Sequence, residues 1–217
     1  MVEVWDKLSI SKEEYIAHLA YQVEHERSAI TGSQRNWQQS FLAMIRIPKD
    51  AELGLDLGCG CGYWTMIINN ICLWYGQCYG VDMCEEFINH AKEWYPHLAD
   101  KYLVMDMHDL KFEDDKFDFV YADNVLEHSP KHDVVLKEIY RVLKKGGKLI
   151  ALVPADKLGK DIETAPDHVW KVNKRDLQVA LLKAGFSVKI DVIDVTKIGM
   201  NEYKPSKNIE LLVEAIK

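Results

Sequence analysis

Apolar residues recur along this chain at two alternating periods, and the alternation lays out the elements. Leu53, Leu55 and Leu57 stand at period two, the spacing of one strand face. Met66, Ile67, Ile68, Ile71 and Leu73 then support a helix over Tyr63–Trp74, with Gly76 placed as a C-cap glycine. A strand over Gln77–Met83, a helix over Glu85–Tyr95 stopped by Pro96, and a strand over Lys101–Met105 follow. Phe117–Ala122 reads as a fourth strand. Helix 132–144 turns Val134, Val135, Ile139, Val142 and Leu143 inward, and Lys148–Val153 is a fifth strand. Asn173-Lys174-Arg175-Asp176 reads as a helix start, and Ser187–Val195 and Asn208–Ile216 close the chain as strands. Strands alternating with helices predict an α/β fold with helices on both faces of a mostly parallel sheet. The last two strands would give that sheet seven strands and an antiparallel end.

Before the first strand lies an N-terminal helical extension. Ser11-Lys12-Glu13-Glu14 has the form of a capping box, and Tyr15, Leu19 and Val23 recur every four residues behind it, to about Ile30. A second helix runs from about Gln34 to Ile45, with Trp37, Phe41, Met44 and Ile45 along one side. The pair either covers a ligand site as a lid or packs on the sheet's flank. Trp5, Tyr15, Tyr21 and Trp37 are aromatic walls in the first case and core in the second. The expected organisation is one domain: residues 1–48 as extension or lid, and 49–217 as the core. No repeat or low-complexity segment interrupts it.

Composition narrows the function. The 217 residues are 48% hydrophobic and 28% charged, which suits a soluble globular chain. No apolar run reaches the length of a membrane span. The N-terminus lacks the basic and apolar regions of a signal peptide, so a cytoplasmic location is expected. A net charge of −7 argues against a broad nucleic-acid surface. The densest basic cluster, Lys144, Lys145 and Lys148, is explained as a helix C-terminus entering a glycine turn. The five cysteines, Cys59, Cys61, Cys72, Cys78 and Cys84, do not have zinc-ligand spacing and read as reduced, semi-buried residues.

The chemistry gathers at the ends of the strands. After Leu57 come Gly58, Gly60 and Gly62, which let the backbone turn sharply and approach a ligand closely. The order G-x-G-x-G, preceded by Asp56, lacks the G-x-G-x-x-G spacing of a dinucleotide site. Asp82 ends the second strand, where an acid can accept both hydroxyls of a ribose. Asp106-Met107 ends the third; Asp106 can accept from an exocyclic amine, and the Met107 N–H can reach a ring nitrogen. His108 reads as polar surface. Phe112–Lys116 reads as a solvated acidic loop. Past the fourth strand lies Asp123-Asn124-Val125-Leu126-Glu127-His128.

These segments together resemble the motifs of the class I S-adenosylmethionine (SAM) dependent methyltransferases. The likeness runs from about Leu53 to Phe186. It rests on Asp56 to Gly62, Asp82, Asp106-Met107, and F-D-x-V-x-x-x-x-V-L-E-H at Phe117–His128. The resemblance implies a Rossmann-like fold and SAM as cofactor. It implies donor contacts from Asp56, Gly58, Cys59, Gly60, Gly62, Asp82, Met83, Asp106, Met107 and Asp123. Arg35 is a candidate partner for a carboxylate.

Methyl transfer is an in-line displacement at a sulfonium. The protein's main task is to hold the acceptor close and in line, and a base is needed only where a proton must leave. His128 is the favoured base, because its motif faces the methyl group in the family. Its other reading is a helix cap or a carbonyl partner. His168, in the loop Ala155–Trp170, is second, with packing on Trp170 as its alternative. A metal-assisted variant uses E-x-x-E-H, but Asn124 stands where the first acid would be, so no metal is expected. The implied activity is transfer of a methyl group to O, N or C of a small-molecule acceptor. A peptide or protein acceptor, a non-catalytic SAM-binding protein and an NAD-dependent oxidoreductase are the competing readings. The acceptor and the oligomeric state are open.

Overall fold

The computed structural model describes residues 43–72, 76–155, 169–170, 172–194 and 209–217. The expected helices before Ala43, with Arg35 and the N-terminal aromatics, lie outside the described residues. So does His168.

Seven strands form one sheet in the order β3-β2-β1-β4-β5-β7-β6. They are β1 (Leu53–Leu57), β2 (Gln77–Asp82), β3 (Tyr102–Val104), β4 (Phe117–Asp123), β5 (Leu143–Ala155), β6 (Ser187–Asp194) and β7 (Ile209–Ile216). The first five pair in parallel, and β7 runs antiparallel to both β5 and β6. The chain steps outward from β1 to β2 and β3, then returns to β4 on the other side of β1. The connections after β1 and β4 therefore leave in opposite directions and open a crevice at the carboxyl ends of these strands.

Both faces of the sheet are buried. Phe119, Tyr121, Ile150 and Leu152 point to one side, where Met44, Ile47 and Ile68 meet them. Val120, Ala122, Leu149, Ala151 and Val153 point to the other. There helices α3 (His132–Val142) and α4 (Lys174–Ala184), which follow α1 (Tyr63–Ile67) and α2 (Glu85–Trp94) in the chain, meet them through Val135, Leu136, Ile139, Leu177 and Leu181. Strands covered twice have little use for polar residues, which explains the unbroken apolar runs in β4 and β5. The alternation between neighbours fixes their register, since a one-residue slip would exchange the two faces.

Local signals set the helix ends. Asn173 accepts the Asp176 N–H at 2.9 Å and starts α4. Gly185, at φ 108°, ends it, and the Phe186 N–H reaches back to Leu181.

The expected helix over 63–74 departs from the pattern. It is α-helical as α1 (Tyr63–Ile67) and becomes a π-turn over Ile68–Cys72. The Asn69 amide donates to the Thr65 carbonyl at 2.8 Å and to the Cys78 carbonyl at 2.9 Å, and its oxygen accepts the Cys78 N–H at 2.9 Å. A side chain competing for backbone groups in this way disturbs an α-helical ladder. It also supplies Cys78 with partners at a point on β2 that β3, which begins opposite Gly80, does not reach. Gly76 is not in the left-handed region. A Cβ there would lie 2.8 Å from the carbonyl oxygens of Ala51 and Glu52, so close backbone approach explains the glycine.

Further expectations are corrected or refined. Lys144 lies beyond the end of α3, and its ammonium bonds Asp118 at 2.6 Å. That carboxylate also receives the Glu52 and Leu53 N–H groups at the start of β1. Ile45 is exposed rather than part of an apolar face. The 112–116 segment exposes Glu113, Asp114 and Asp115, as expected of a solvated acidic loop, but it is also anchored. Phe112 is buried, Asp114 pairs with Arg141 at 2.8 Å, and Asp115 pairs with Lys217 at 2.6 Å.

Arg141 is the clamp of that segment. Its guanidinium donates to the Leu110 and Phe112 carbonyls at 2.8 and 2.7 Å and to both oxygens of Glu138. Glu138 in turn accepts the Leu110 N–H. Arg141→Met leaves two carbonyls and a partly buried carboxylate without their donor. The expected loss of stability is about 2–3 kcal/mol, read as a lower urea midpoint with an unchanged slope.

Candidate active site

The glycine turn between β1 and α1 sits on the tip of β2. The Gly58 and Cys59 N–H groups both donate to the Val81 carbonyl, at 2.8 and 3.0 Å. The Gly60 N–H donates to Asp82 Oδ2 at 3.0 Å, and the Cys84 N–H donates to Asp82 Oδ1 at 2.9 Å. Gly58, Gly60 and Gly62 have φ of 72°, 51° and 84°, a region that residues with a Cβ rarely adopt. Packing adds a second reason at two of them. A Cβ on Gly58 would lie 2.3 Å from Val125, and one on Gly62 would lie 2.6 Å from the Tyr102 ring. At Gly60 an added Cβ meets nothing within 4 Å, so this residue faces open space.

Three carboxylates surround the turn. Asp56 is buried beneath it and accepts the Thr65 hydroxyl at 2.6 Å. Asp82 stands at the tip of β2, and Asp123 at the end of β4 accepts from Tyr121 Oη and Asn124 Nδ2. Burial pushes the Asp56 pKa up from 3.8 to about 7; the Thr65 bond opposes the rise, and the charges of Asp123 and Asp82 add to it. Burial also raises the Asp82 pKa, against the Cys84 and Gly60 N–H bonds and the nearby His128. The surroundings of Asp56 thus disfavour another negative charge and favour a positive one.

The other candidate residues fall around this centre. His128 closes the short 3₁₀ turn Leu126–His128, within electrostatic reach of Asp82. Its Nε2 is 3.9 Å from Oε1 of the buried Glu127. Asp106 lies just past β3, where the Met105 N–H is tied to the Asp82 carbonyl. Met83 is half-buried, and Met107 packs against the core. Cys59 is buried with Ile88, Ala91 and Tyr102, so its side chain belongs to the core and its backbone to the turn. Cys59, Cys61, Cys78 and Cys84 are buried, reduced thiols. The Trp170 N–H donates to the Glu127 carbonyl at 2.9 Å, and its ring stacks on His132 at 4.0 Å.

Two contributions were not legible in the sequence. Thr65 is an ordinary residue in an apolar helix, yet it holds Asp56. His108, read as polar surface, is buried at its side chain and bonds both Asp106 and Ser129. Among the described residues, no three His, Cys, Asp or Glu side chains cluster as metal ligands. No helix there is long and apolar enough to cross a membrane.

The sheet order and the glycine turn at its crevice give the fold that the resemblance implies. Residues 55–151 match a family model described as a methyltransferase domain. Over that stretch the chain is similar to methyltransferase domains, and its seven-stranded sheet has the fold of solved methyltransferase structures. Over 117 residues it is 32% identical to a demethylmenaquinone methyltransferase of Staphylococcus haemolyticus, covering 54% of this chain and 48% of that one. The chain thus spans about half the length of the curated relatives it matches. Among solved structures, it is similar to a chain of the complex between the Haloferax volcanii Trm112 methyltransferase activator and a methyltransferase. The TM-score is 0.75 at 21% identity, covering 94% of this chain and 97% of that one. It is also similar to phosphoethanolamine N-methyltransferase 2 of Haemonchus contortus, solved with S-adenosyl-L-methionine. There the TM-score is 0.70 at 20% identity, covering 83% of this chain and 52% of that one.

The buried acid sets a pH dependence. Asp56 holds its proton more tightly folded than unfolded. Its contribution is fully present below about 3.8 and is lost as pH rises to about 7. Asp56→Asn removes this dependence and keeps an oxygen for Thr65. The stability of the variant relative to the native chain should therefore rise by roughly 2–4 kcal/mol between pH 4 and pH 7.5, then level off. Parallel urea titrations across that range measure it; a flat difference would show that Asp56 ionises normally.

Proposed function

We propose that the chain transfers a methyl group from SAM to an O, N or C atom of a small-molecule acceptor, with donor and acceptor meeting at the crevice between β1 and β4. The observation that carries this is the crowding of Asp56, Asp82 and Asp123 around a turn that opens at Gly60. That surrounding suits a cationic ligand which also carries a ribose diol, and SAM is one. The small-molecule acceptor is supported by the name of the staphylococcal relative, at an identity too low to transfer its substrate.

Each residue has a role in this proposal. Gly58, Gly60 and Gly62 let the backbone approach the amino-acid part of the donor, with the Cys59 backbone between them. Asp82 accepts the ribose hydroxyls with lone pairs beyond those that hold Gly60 and Cys84. Asp106 and the Met107 N–H take the adenine edge, and Met83 packs beside it. Asp56 and Asp123 supply negative charge near the positive groups of the donor. Arg35 is assigned to a carboxylate.

When bound, SAM supplies an electrophilic methyl on a good leaving group. The chain's own work is to align the acceptor, exclude water and, where the acceptor bears a proton, remove it at His128 Nε2. The carboxylate of the buried Glu127 lies 3.9 Å from that nitrogen. His168 remains the second candidate base. The division into a core of 49–217 and an extension or lid of 1–48 belongs to the same proposal.

Calorimetric titration of the full chain with SAM, S-adenosylhomocysteine and NAD tests the donor, and transfer of labelled methyl to candidate small acceptors tests the reaction. SAM and S-adenosylhomocysteine should bind. Asp82→Asn should weaken both about tenfold or more. His128→Ala should lower kcat by about a hundredfold for a proton-bearing acceptor, with little change in KM for SAM. Binding of NAD without SAM would overturn the proposal.

A further inference from the structure

Asp106, His108 and Ser129 form a chain of side-chain hydrogen bonds between two loops of the crevice. Asp106 Oδ1 accepts the His108 backbone N–H at 2.9 Å and lies 2.7 Å from His108 Nδ1. His108 Nε2 lies 2.9 Å from Ser129 Oγ. Ser129 Oγ also accepts the Lys131 N–H at 3.1 Å. The carboxylate requires a proton on Nδ1, so in the neutral ring Nε2 accepts the Ser129 hydroxyl. Every donor then points one way, from Lys131 through Ser129 and His108 to Asp106.

The same residue types in the same order activate a nucleophile in serine hydrolases. That role does not fit here, because Ser129 is wholly buried. The chain ends in packing, and its other end lies at Asp106, whose side chain is 39% exposed. A half-exposed aspartate on a loop is ordinarily free to turn. Here the backbone N–H and the buried ring of His108 both take one oxygen and restrain the carboxylate, and that ring is itself fixed by a buried hydroxyl.

We propose that His108 is a positioning residue for the donor's base: through Nδ1 it orients Asp106 toward an exocyclic amine, and Ser129 holds the ring in that orientation. This rests on the SAM reading of the site. It adds that selection of adenine over a base with a carbonyl in the amine's place depends on a residue that does not touch the base. A carboxylate accepts from an amine and repels a carbonyl oxygen, so its orientation decides the discrimination.

The two ring nitrogens can be tested separately. In His108→Asn the amide falls near Nδ1 and keeps the Asp106 bond; in His108→Gln it falls near Nε2 and keeps only the Ser129 bond. Both variants and the native full chain are titrated with S-adenosylhomocysteine and S-inosylhomocysteine, and their thermal unfolding is recorded. His108→Gln should weaken S-adenosylhomocysteine about tenfold and shrink the preference for adenine, while His108→Asn stays within about threefold of the native values. A structural role alone would move unfolding temperatures without moving the ratio between the two ligands. Native affinity and preference in His108→Gln, or equal losses in both variants, overturn the role of His108. Failure of the native chain to bind S-adenosylhomocysteine defeats the SAM reading itself, and this inference with it.

Discussion

The Asp82 carboxylate holds two loops at once. One oxygen takes the Gly60 N–H and the other takes the Cys84 N–H. With the Val81 carbonyl, which receives Gly58 and Cys59, it joins the turn after β1 to the tip of β2. A turn of three glycines has high conformational entropy when unrestrained, and these bonds oppose that entropy. The position of the turn, of α1 behind it and of Asp56 beneath it follows from this attachment. Under the proposed function, ligand recognition and loop anchoring share one carboxylate, and substitutions at Asp82 act on both.

Crowding of negative charge is the counterpart of that arrangement. Asp56 is buried, faces Asp82 and Asp123, and holds only the Thr65 hydroxyl among described side chains. Such a group does not serve stability, since a neutral residue of the same shape avoids the cost of burying a charge. A cation bound in the crevice would relieve the repulsion. The site therefore gives up some stability when empty, a pattern common where binding is the function.

Much of the fold was legible because its signals are local or periodic. Asn173 and Gly185 mark the two ends of α4, and the doubly covered strands show as unbroken apolar runs. The glycines and the acids after successive strands lie at fixed places in chain order, so their positions at the strand ends could be read from spacing. What escaped depends on contacts between segments far apart in sequence. Asn69 redirects a helix because it meets Cys78 across the fold. Arg141 anchors an acidic loop whose charges are nonetheless exposed. His108 looks like a lone polar residue until Ser129 is brought beside it. The exposure of Ile45 and the placement of Lys144 have the same origin: periodicity names a face, but neighbours decide whether it is covered.

Trp170 is tied by its N–H to the Glu127 carbonyl and by its ring to His132. Ala155, at the end of β5, is fixed by pairing with Ile209. The end of the sheet and the turn carrying His128 are therefore held by separate bonds. Under the proposed function, a change of acceptor that leaves both attachments in place keeps the geometry of the donor side.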